Sequence, residues 1–133
     1  MIYGLDSNIV SYLLRKDKRV VEKFSEAVGN GFLCVIPPMV YFEIKRWLTV
    51  RDAKSKMLRF NKVYRFTEKT SIDVDALEKA VEIYAKLAKK GNLIGDNDIL
   101  IAAYCIVNDY TLVSNNTAEF ERIADLKLEN WTL

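Results

Sequence analysis

The sequence predicts an α/β fold: a mainly parallel sheet covered by helices on both faces. Short, almost wholly apolar runs, Ile2 to Leu5 and Phe32 to Ile36, with Thr111 to Ser114 and Leu126 to Trp131 further on, have the length of buried strands. The stretches between them place apolar residues every three to four positions, as amphipathic helices do. Strands and helices alternate along the chain, and that order implies a parallel sheet. At 133 residues the chain is the usual size of one domain, 1–133, able to bury roughly two-thirds of its unfolded surface.

The first strand, Ile2 to Leu5, is closed by Asp6. Ser7 or Asn8 can cap the helix that follows, whose stripe is Ile9, Val10, Leu13 and Leu14. A second helix fits Arg19 to Val28 through Val20, Val21, Phe24, Ala27 and Val28, and Gly29-Asn30-Gly31 ends it. After the strand Phe32 to Ile36, Pro37-Pro38 turns the chain into a third helix. Met39, Tyr41, Phe42 and Ile44 supply its core contacts, while Glu43 and Trp47, four apart, share a face.

Arg51 to Tyr64 reads as a fourth helix through Ala53, Met57, Phe60 and Val63 or Tyr64, with a short strand near Tyr64 to Thr67. The fifth helix, Asp75 to Lys90, is the most clearly marked. Asp75 and Glu78 stand at capping-box spacing, Leu77, Ala80, Val81, Tyr84, Leu87 and Ala88 form one stripe, and Gly91 is a stop. A sixth begins near Asp96 or Asp98 and runs through Ile106, ahead of the last two strands.

Composition removes several classes of function. Apolar residues make up 50% and charged residues 29%, with five glycines and two prolines, so neither disorder nor low complexity is indicated. No run approaches the roughly 18 apolar residues that span a membrane, and no signal segment opens the chain, so the cytoplasm is the default compartment. Cys34 and Cys105 lie inside apolar segments, where reduced structural cysteines belong. Histidine is absent, which excludes Ser-His-Asp relays, imidazole bases and nearly every common zinc site. Chemistry here must run on carboxylates, amides and hydroxyls.

Charge is unevenly spread. Lys45 to Lys69 holds nine Lys/Arg against Asp52 and Glu68, a net of +7, whereas the remainder, with 11 basic and 16 acidic residues, stands at −5. A solvated helix pair would explain this; so would a footprint for a phosphate backbone beside an acidic pocket, with Lys45, Arg46 and Arg51 as its candidate contacts.

The acids themselves sit against core segments. Asp6 closes the first strand, Glu43 lies within Met39 to Ile44, and Asp96 and Asp98 open Ile99-Leu100-Ile101-Ala102-Ala103. Ionised groups near an interior are costly unless paired or bound to metal. In an open parallel sheet, ligands collect outside the carboxyl ends of the strands. Asp6 is there, Asn115-Asn116-Thr117 follows another strand to the same edge, and the helix beginning at Asp96-Asp98 can aim its N-terminus at it. Plainer readings exist: Asp6 as a helix cap, Asp96 or Asp98 as an N-cap favoured by the helix dipole, Asn115-Asn116 as a turn, and Trp47 and Trp131 as packing.

Four segments carry a resemblance. Leu-Asp-Ser-Asn-Ile-Val-Ser-Tyr-Leu-Leu-Arg (from Leu5), Tyr-Phe-Glu-Ile-Lys-Arg (from Tyr41), Ile-Gly-Asp-Asn-Asp-Ile-Leu-Ile-Ala-Ala (from Ile94) and Leu-Val-Ser-Asn-Asn-Thr-Ala-Glu-Phe-Glu-Arg-Ile (from Leu112), with the tail Glu-Asn-Trp, resemble PIN-domain ribonucleases of the VapC toxin type. The resemblance spans essentially the whole chain in order. It implies an α/β/α sandwich, an endoribonuclease dependent on Mg²⁺ or Mn²⁺, usually a homodimer, and a small antitoxin that covers the acidic pocket with a basic side chain.

On the positions that match, the resemblance implies Asp6, Glu43 and Asp98 as the acidic set, with Asp96 as an additional acid. Asp6 and Asp98 are the expected metal ligands, Glu43 and Asp96 ligands, water orienters or base, and Ser7 and Asn116 supporting hydrogen-bond partners. Asn116 stands where many such nucleases carry a fourth Asp, and an amide adds no charge.

Two other enzyme or signalling classes share parts of this pattern. Gly95-Asp96-Asn97-Asp98 echoes the late motif of haloacid-dehalogenase-like phosphatases, but Asn8 occupies the place of that chemistry's second Asp. A receiver-like module would need an Asp at the end of a central strand, and Phe32 to Ile36 runs instead into Pro37-Pro38. A PIN-like domain that only binds a partner is a third alternative, against which the retained acids argue.

Overall fold

A computed structural model describes all 133 residues. Along the chain lie β1 (Ile2–Leu5), α1 (Ser7–Leu14), α2 (Lys18–Gly29), β2 (Leu33–Val35), α3 (Pro38–Val50), α4 (Lys54–Arg65), α5 (Val74–Lys89), α6 (Asp96–Val107), β3 (Thr111–Val113), α7 (Thr117–Phe120) and β4 (Leu128–Glu129). The strands form one four-stranded sheet in the order β2-β1-β3-β4, every pair parallel. This is the expected α/β/α architecture.

Strand order places the site. From β1 the chain moves outward to β2 and then returns past β1 to β3, so the connections reverse direction between β1 and β3. Right-handed crossovers then put α1 and α2 on one face and α6, which leads into β3, on the other. The reversal opens a crevice at the carboxyl ends of β1 and β3. Tyr3 pairs with Thr111, Gly4 with Leu112 and Leu5 with Val113, so the residues that follow, Asp6 and Ser114, emerge side by side.

One apolar core fills the space around the sheet, with Leu5, Ile9, Val10, Ile101, Tyr104, Leu112 and Phe120 wholly enclosed. Gly4 permits a close approach within it: a Cβ at that position would lie 2.8 Å from Cys105 Sγ on α6. Arg59 of α4 ties its helix to α1 by donating to the Leu14 carbonyl at 2.9 Å. Cys34 and Cys105 are free and buried. No helix is long and apolar enough to cross a membrane.

Several expectations need correction. The N-cap of α1 is Asp6, not Ser7 or Asn8, and α6 is capped by Gly95 rather than by Asp96 or Asp98. The fifth helix begins at Val74, one residue before Asp75, with Asp73 as its N-cap: the Asp73 carboxylate accepts from the Ala76 amide at 3.1 Å, so no capping box forms at Asp75 and Glu78. The fourth helix starts at Lys54, because Asp52 adopts a left-handed φ of 49° that ends the preceding turn. At its far end α4 continues to Arg65, and the strand expected near Tyr64 to Thr67 is reduced to a single bridge between Val35 and Glu68.

The helical stripes are rotated from their expected position in two places. Phe42 is 62% exposed, and α3 buries Val40, Ile44 and Leu48 instead. In α5, Ala76, Ala80, Ile83 and Leu87 face the core while Leu77, Val81 and Tyr84 are exposed. A helix rich in apolar residues offers two adjacent stripes, and periodicity alone does not say which one its neighbour covers. The four-residue helix α7 was not expected at all.

Candidate active site

The site begins at Asp6, which continues the sheet by donating its amide to the Val113 carbonyl at 2.9 Å before the chain turns into α1. Its carboxylate is buried, 2% exposed. Oδ1 accepts from the Ser7 amide at 2.8 Å; Oδ2 accepts from Asn8 Nδ2 at 3.0 Å and from Ser114 Oγ at 2.7 Å. Burial raises its pKa above the ordinary carboxylate value, and these hydrogen bonds oppose the rise by favouring the ionised form. Asp6 is therefore both a helix cap and a buried, hydrogen-bonded carboxylate at the carboxyl end of β1.

Ser114 organises the neighbouring loop. Besides donating to Asp6, its hydroxyl accepts from Asn8 Nδ2 at 3.3 Å and from the Asn116 amide at 3.0 Å. The Asn116 side chain donates to Glu119 Oε2 at 3.1 Å, and thereby holds the acid on the first turn of α7. Asn116 thus supports two other residues rather than supplying the charge at this edge.

Asp98, on the first turn of α6, is half-buried and its pKa is pushed up to about 6. Desolvation contributes most, followed by the charges of Asp6, Glu119 and Glu43 and a hydrogen bond shared with Glu119. Glu43 of α3 is likewise raised, by burial and then by Asp6, while Arg46 and a hydrogen bond donated by Asn97 Nδ2 to Oε1 work the other way. Four carboxylates, Asp6, Glu43, Asp98 and Glu119, are thus within electrostatic reach of one another. The molecule's three ion pairs, Lys79–Glu82, Lys86–Glu82 and Lys127–Asp109, all lie elsewhere.

Of the residues picked out from the sequence, Asp6, Glu43, Asp98, Ser7 and Asn116 come together here. Asp96 does not join them: it is exposed and lines the groove between α5 and α6 beside Leu77, Val81 and Leu100. Four participants were missed: Asn8, Ser114, Glu119 and Asn97. All are polar residues within the motifs already singled out, Asn8 two positions after Asp6, Ser114 directly before Asn115-Asn116, Asn97 between the two acids of α6 and Glu119 three positions after Asn116, and that placement was the available signal.

The donor set fits a hard divalent cation, which prefers carboxylate and carbonyl oxygens. No three carboxylates converge tightly enough to form a closed all-protein cage. Mg²⁺ is commonly held by one or two carboxylates and keeps several waters, so a loose acidic pocket suits it.

The basic residues of α3 and its end pack over aromatic rings, and of them Arg46 acts on Glu43. Lys45 turns inward, its ammonium 3.3 Å from Tyr41 Oη and over the Tyr41 and Phe60 rings. Arg46 lies over the exposed Phe42 ring at 5.1 Å, and Arg51 over Trp47 at 4.1 Å. Trp131 is buried against Tyr3, as packing requires, whereas Trp47 is 38% exposed.

Comparison with known proteins gives the class to which this fold and acidic crevice correspond. The PIN domain family matches residues 3–126. Ribonuclease VapC2 of Rickettsia felis is 35% identical over 135 residues, covering 98% of each chain, and ribonuclease VapC2 of Haemophilus influenzae is 32% identical over 142 residues, covering 97% of each. The crystal structure of VapBC2 from Rickettsia felis bound to a DNA fragment from its promoter superposes with a TM-score of 0.91 at 28% identity, over 98% of this chain and 99% of the other. The chain belongs to the PIN-domain family and, within it, to the VapC ribonucleases.

Proposed function

We propose that residues 1–133 act as one nuclease domain, a divalent-metal-dependent endoribonuclease that serves as the toxin of a toxin–antitoxin pair, with Mg²⁺ or Mn²⁺ as its ion. The observation that carries this reading is the gathering of the buried Asp6 carboxylate with Glu43, Asp98 and Glu119 at the carboxyl ends of β1 and β3, none of them in an ion pair, which also pushes the Asp98 pKa up to about 6. Uncompensated acids of this kind are expected where a cation or a cationic partner completes the charge balance.

Asp6 and Asp98 would hold the ion. Ser114, Asn8 and Ser7 aim the Asp6 carboxylate and favour its ionised form against burial, and Asn116 fixes the Glu119 carboxylate by a hydrogen bond. A bound divalent cation lowers the pKa of a coordinated water and offsets charge that builds on a scissile phosphate. Glu43 has Oε1 committed to Asn97, which leaves Oε2 to take the proton of an attacking water. Asp96, which lines the groove between α5 and α6, takes no part in this reading.

The same uncompensated charge supports an antitoxin partner that places a basic side chain among the carboxylates, where Arg is the natural geometric match. A homodimer also goes with this reading. On α5, Val74, Leu77, Val81, Tyr84 and Ala88 are exposed at alternating spacings of three and four, the pattern of a coiled-coil seam, and a second copy of the same stripe across a two-fold axis would cover it. Buried free thiols and an RNA substrate are in keeping with a cytoplasmic location.

The test is cleavage of total RNA by purified, partner-free protein in Mg²⁺ or Mn²⁺ against EDTA, with Asp98→Ala prepared identically. Discrete, metal-dependent fragments absent from the variant are expected. Cleavage that survives in Asp98→Ala, or none in either metal, would overturn the reading.

A further inference from the structure

Beside the acidic pocket lies a second cavity of about 370 Å³ between α1, α3, α4 and the loop after β3, lined by Asn8, Tyr12, Arg15, Trp47, Lys56 and Asn115 among others. It contains no acidic residue. Asn8 joins the two spaces: its Nδ2 donates to Asp6, and its Oδ1 accepts from the Asn115 amide at 3.1 Å. Asn115 in turn donates to Tyr12 Oη at 3.3 Å, across the mouth of the cleft. On the other wall, Trp47 follows Glu43 by one helical turn on the same face of α3, a rise of about 6 Å.

The chemistry of the lining is specific. Arg15 lies 4.6 Å over the Tyr12 ring, Arg51 4.1 Å and Lys56 5.7 Å over the Trp47 ring. Cation–π contacts at exposed sites are weak, about 0.5–1 kcal/mol, so these cations can exchange a ring for a phosphate at little cost. The half-exposed indole that they cover is then open to another flat partner. Aromatic rings with adjacent Arg and Lys form the usual platform for an unpaired base and its backbone. The cleft's two cations, its amide-bearing Asn8 and Asn115 and the absence of any acid favour an anionic backbone over a docked protein segment, although Tyr12, Leu14 and Trp47 give it an apolar part as well.

We propose that this cleft is a nucleotide subsite, in which Trp47 stacks on an unpaired base next to the scissile phosphate while Arg15 and Lys56 hold the neighbouring phosphate. The subsite rests on the ribonuclease reading and deepens it: it makes single-stranded or looped RNA the substrate class and Trp47 a positioning residue. A duplex, whose bases are already stacked, leaves the subsite empty.

The experiment uses the two tryptophans. Trp131 is buried and Trp47 is exposed, so quenching of intrinsic emission by a short mixed-sequence oligoribonucleotide reports on Trp47. In the uncleaving Asp98→Ala background with Mg²⁺, the single strand should quench and its duplex should not. Trp47→Leu should abolish the quench and weaken single-strand binding by about 5- to 100-fold, with Trp47→Phe retaining most of the affinity. Lys56→Gln should lower the slope of log affinity against log salt by about one.

In the otherwise wild-type enzyme, Trp47→Leu should raise KM with kcat little changed, and circular dichroism should show Trp47→Leu, Trp47→Phe and Lys56→Gln all folded. Wild-type cleavage with an unchanged KM in Trp47→Leu and no quench would overturn the subsite while the ribonuclease stands. Quenching by a single strand without cleavage by the wild type would retain the cleft and reject the nuclease. Loss of antitoxin capture alone in Trp47→Leu, with RNA binding intact, would make the cleft a peptide groove and reject the proposal.

Discussion

Ser114 donates its hydroxyl hydrogen to Asp6 Oδ2 at 2.7 Å, between two buried side chains 108 residues apart in sequence. The bond ties together the carboxyl ends of β1 and β3 beneath the crevice, and through the same oxygen Ser114 also anchors Asn8 and Asn116. It favours the ionised form of a carboxylate that burial alone would push toward neutrality.

Ser114→Ala should therefore destabilise the protein by about 1–3 kcal/mol, the usual cost of removing a hydrogen bond to a buried charged group. Urea denaturation measures this. Metal affinity should fall as well, since Asp6 becomes easier to protonate, and isothermal titration with Mg²⁺ or Mn²⁺ would show it.

Asp98→Asn should raise the melting temperature of the metal-free protein while abolishing RNA cleavage. The carboxylate is held against burial and against the charges of Asp6, Glu119 and Glu43, so its removal relieves repulsion. A lower melting temperature in EDTA would show that the acids are not mutually repelling.

The pH dependence follows from the same group. With a folded pKa of about 6 against an ordinary 3.8, Asp98 holds its proton more tightly in the folded state. Its stabilising contribution is complete below about pH 4 and is lost as pH rises through about 6. Thermal melts in EDTA should show wild type losing stability relative to Asp98→Asn across that window. Metal binding should show the reverse trend, weakening as pH falls through 6, because protons and the cation compete for one carboxylate.

Gly4→Ala should cost about 1–3 kcal/mol through overpacking, since the new methyl would meet Cys105 Sγ at 2.8 Å. Gly4→Ala with Cys105→Ala should recover part of that loss in a denaturation cycle, because the smaller α6 side chain vacates the contested space.

Val81→Lys or Tyr84→Lys should convert a homodimer to monomer in analytical ultracentrifugation with little change in fold, because both side chains are exposed on α5. An unchanged sedimentation coefficient in both variants would remove the α5 stripe as the dimer seam.

Much of the fold was legible because its signals are local. Apolar runs marked the strands, the three-to-four spacing marked α1, α2 and α5, and Gly31 and Gly91 end helices at left-handed φ values of 78° and 63°. Asp6, Glu43 and Asp98 were legible as acids placed against core-forming segments. Glu119 was not, since α7 is a single turn too short to announce itself by periodicity. Asn97 was passed over between two acids that looked more informative. Trp47 was placed with packing residues because its spacing from Glu43 shows a shared face and not which surroundings that face meets.

The sequence by itself determined the class of fold, the absence of imidazole chemistry and the acids able to bind a cation, because residue type and spacing of two to four positions act within one strand or one helical turn. Only the tertiary structure decided which acids meet, which α5 stripe stays bare and where Trp47 stands. Those outcomes depend on the β2-β1-β3-β4 order, which brings residue 6 beside residue 114 and turns α6 so that Asp98 faces the crevice while Asp96 faces α5. Chain segments a hundred residues apart acquire a common environment only when the sheet assembles, and no local pattern encodes that meeting.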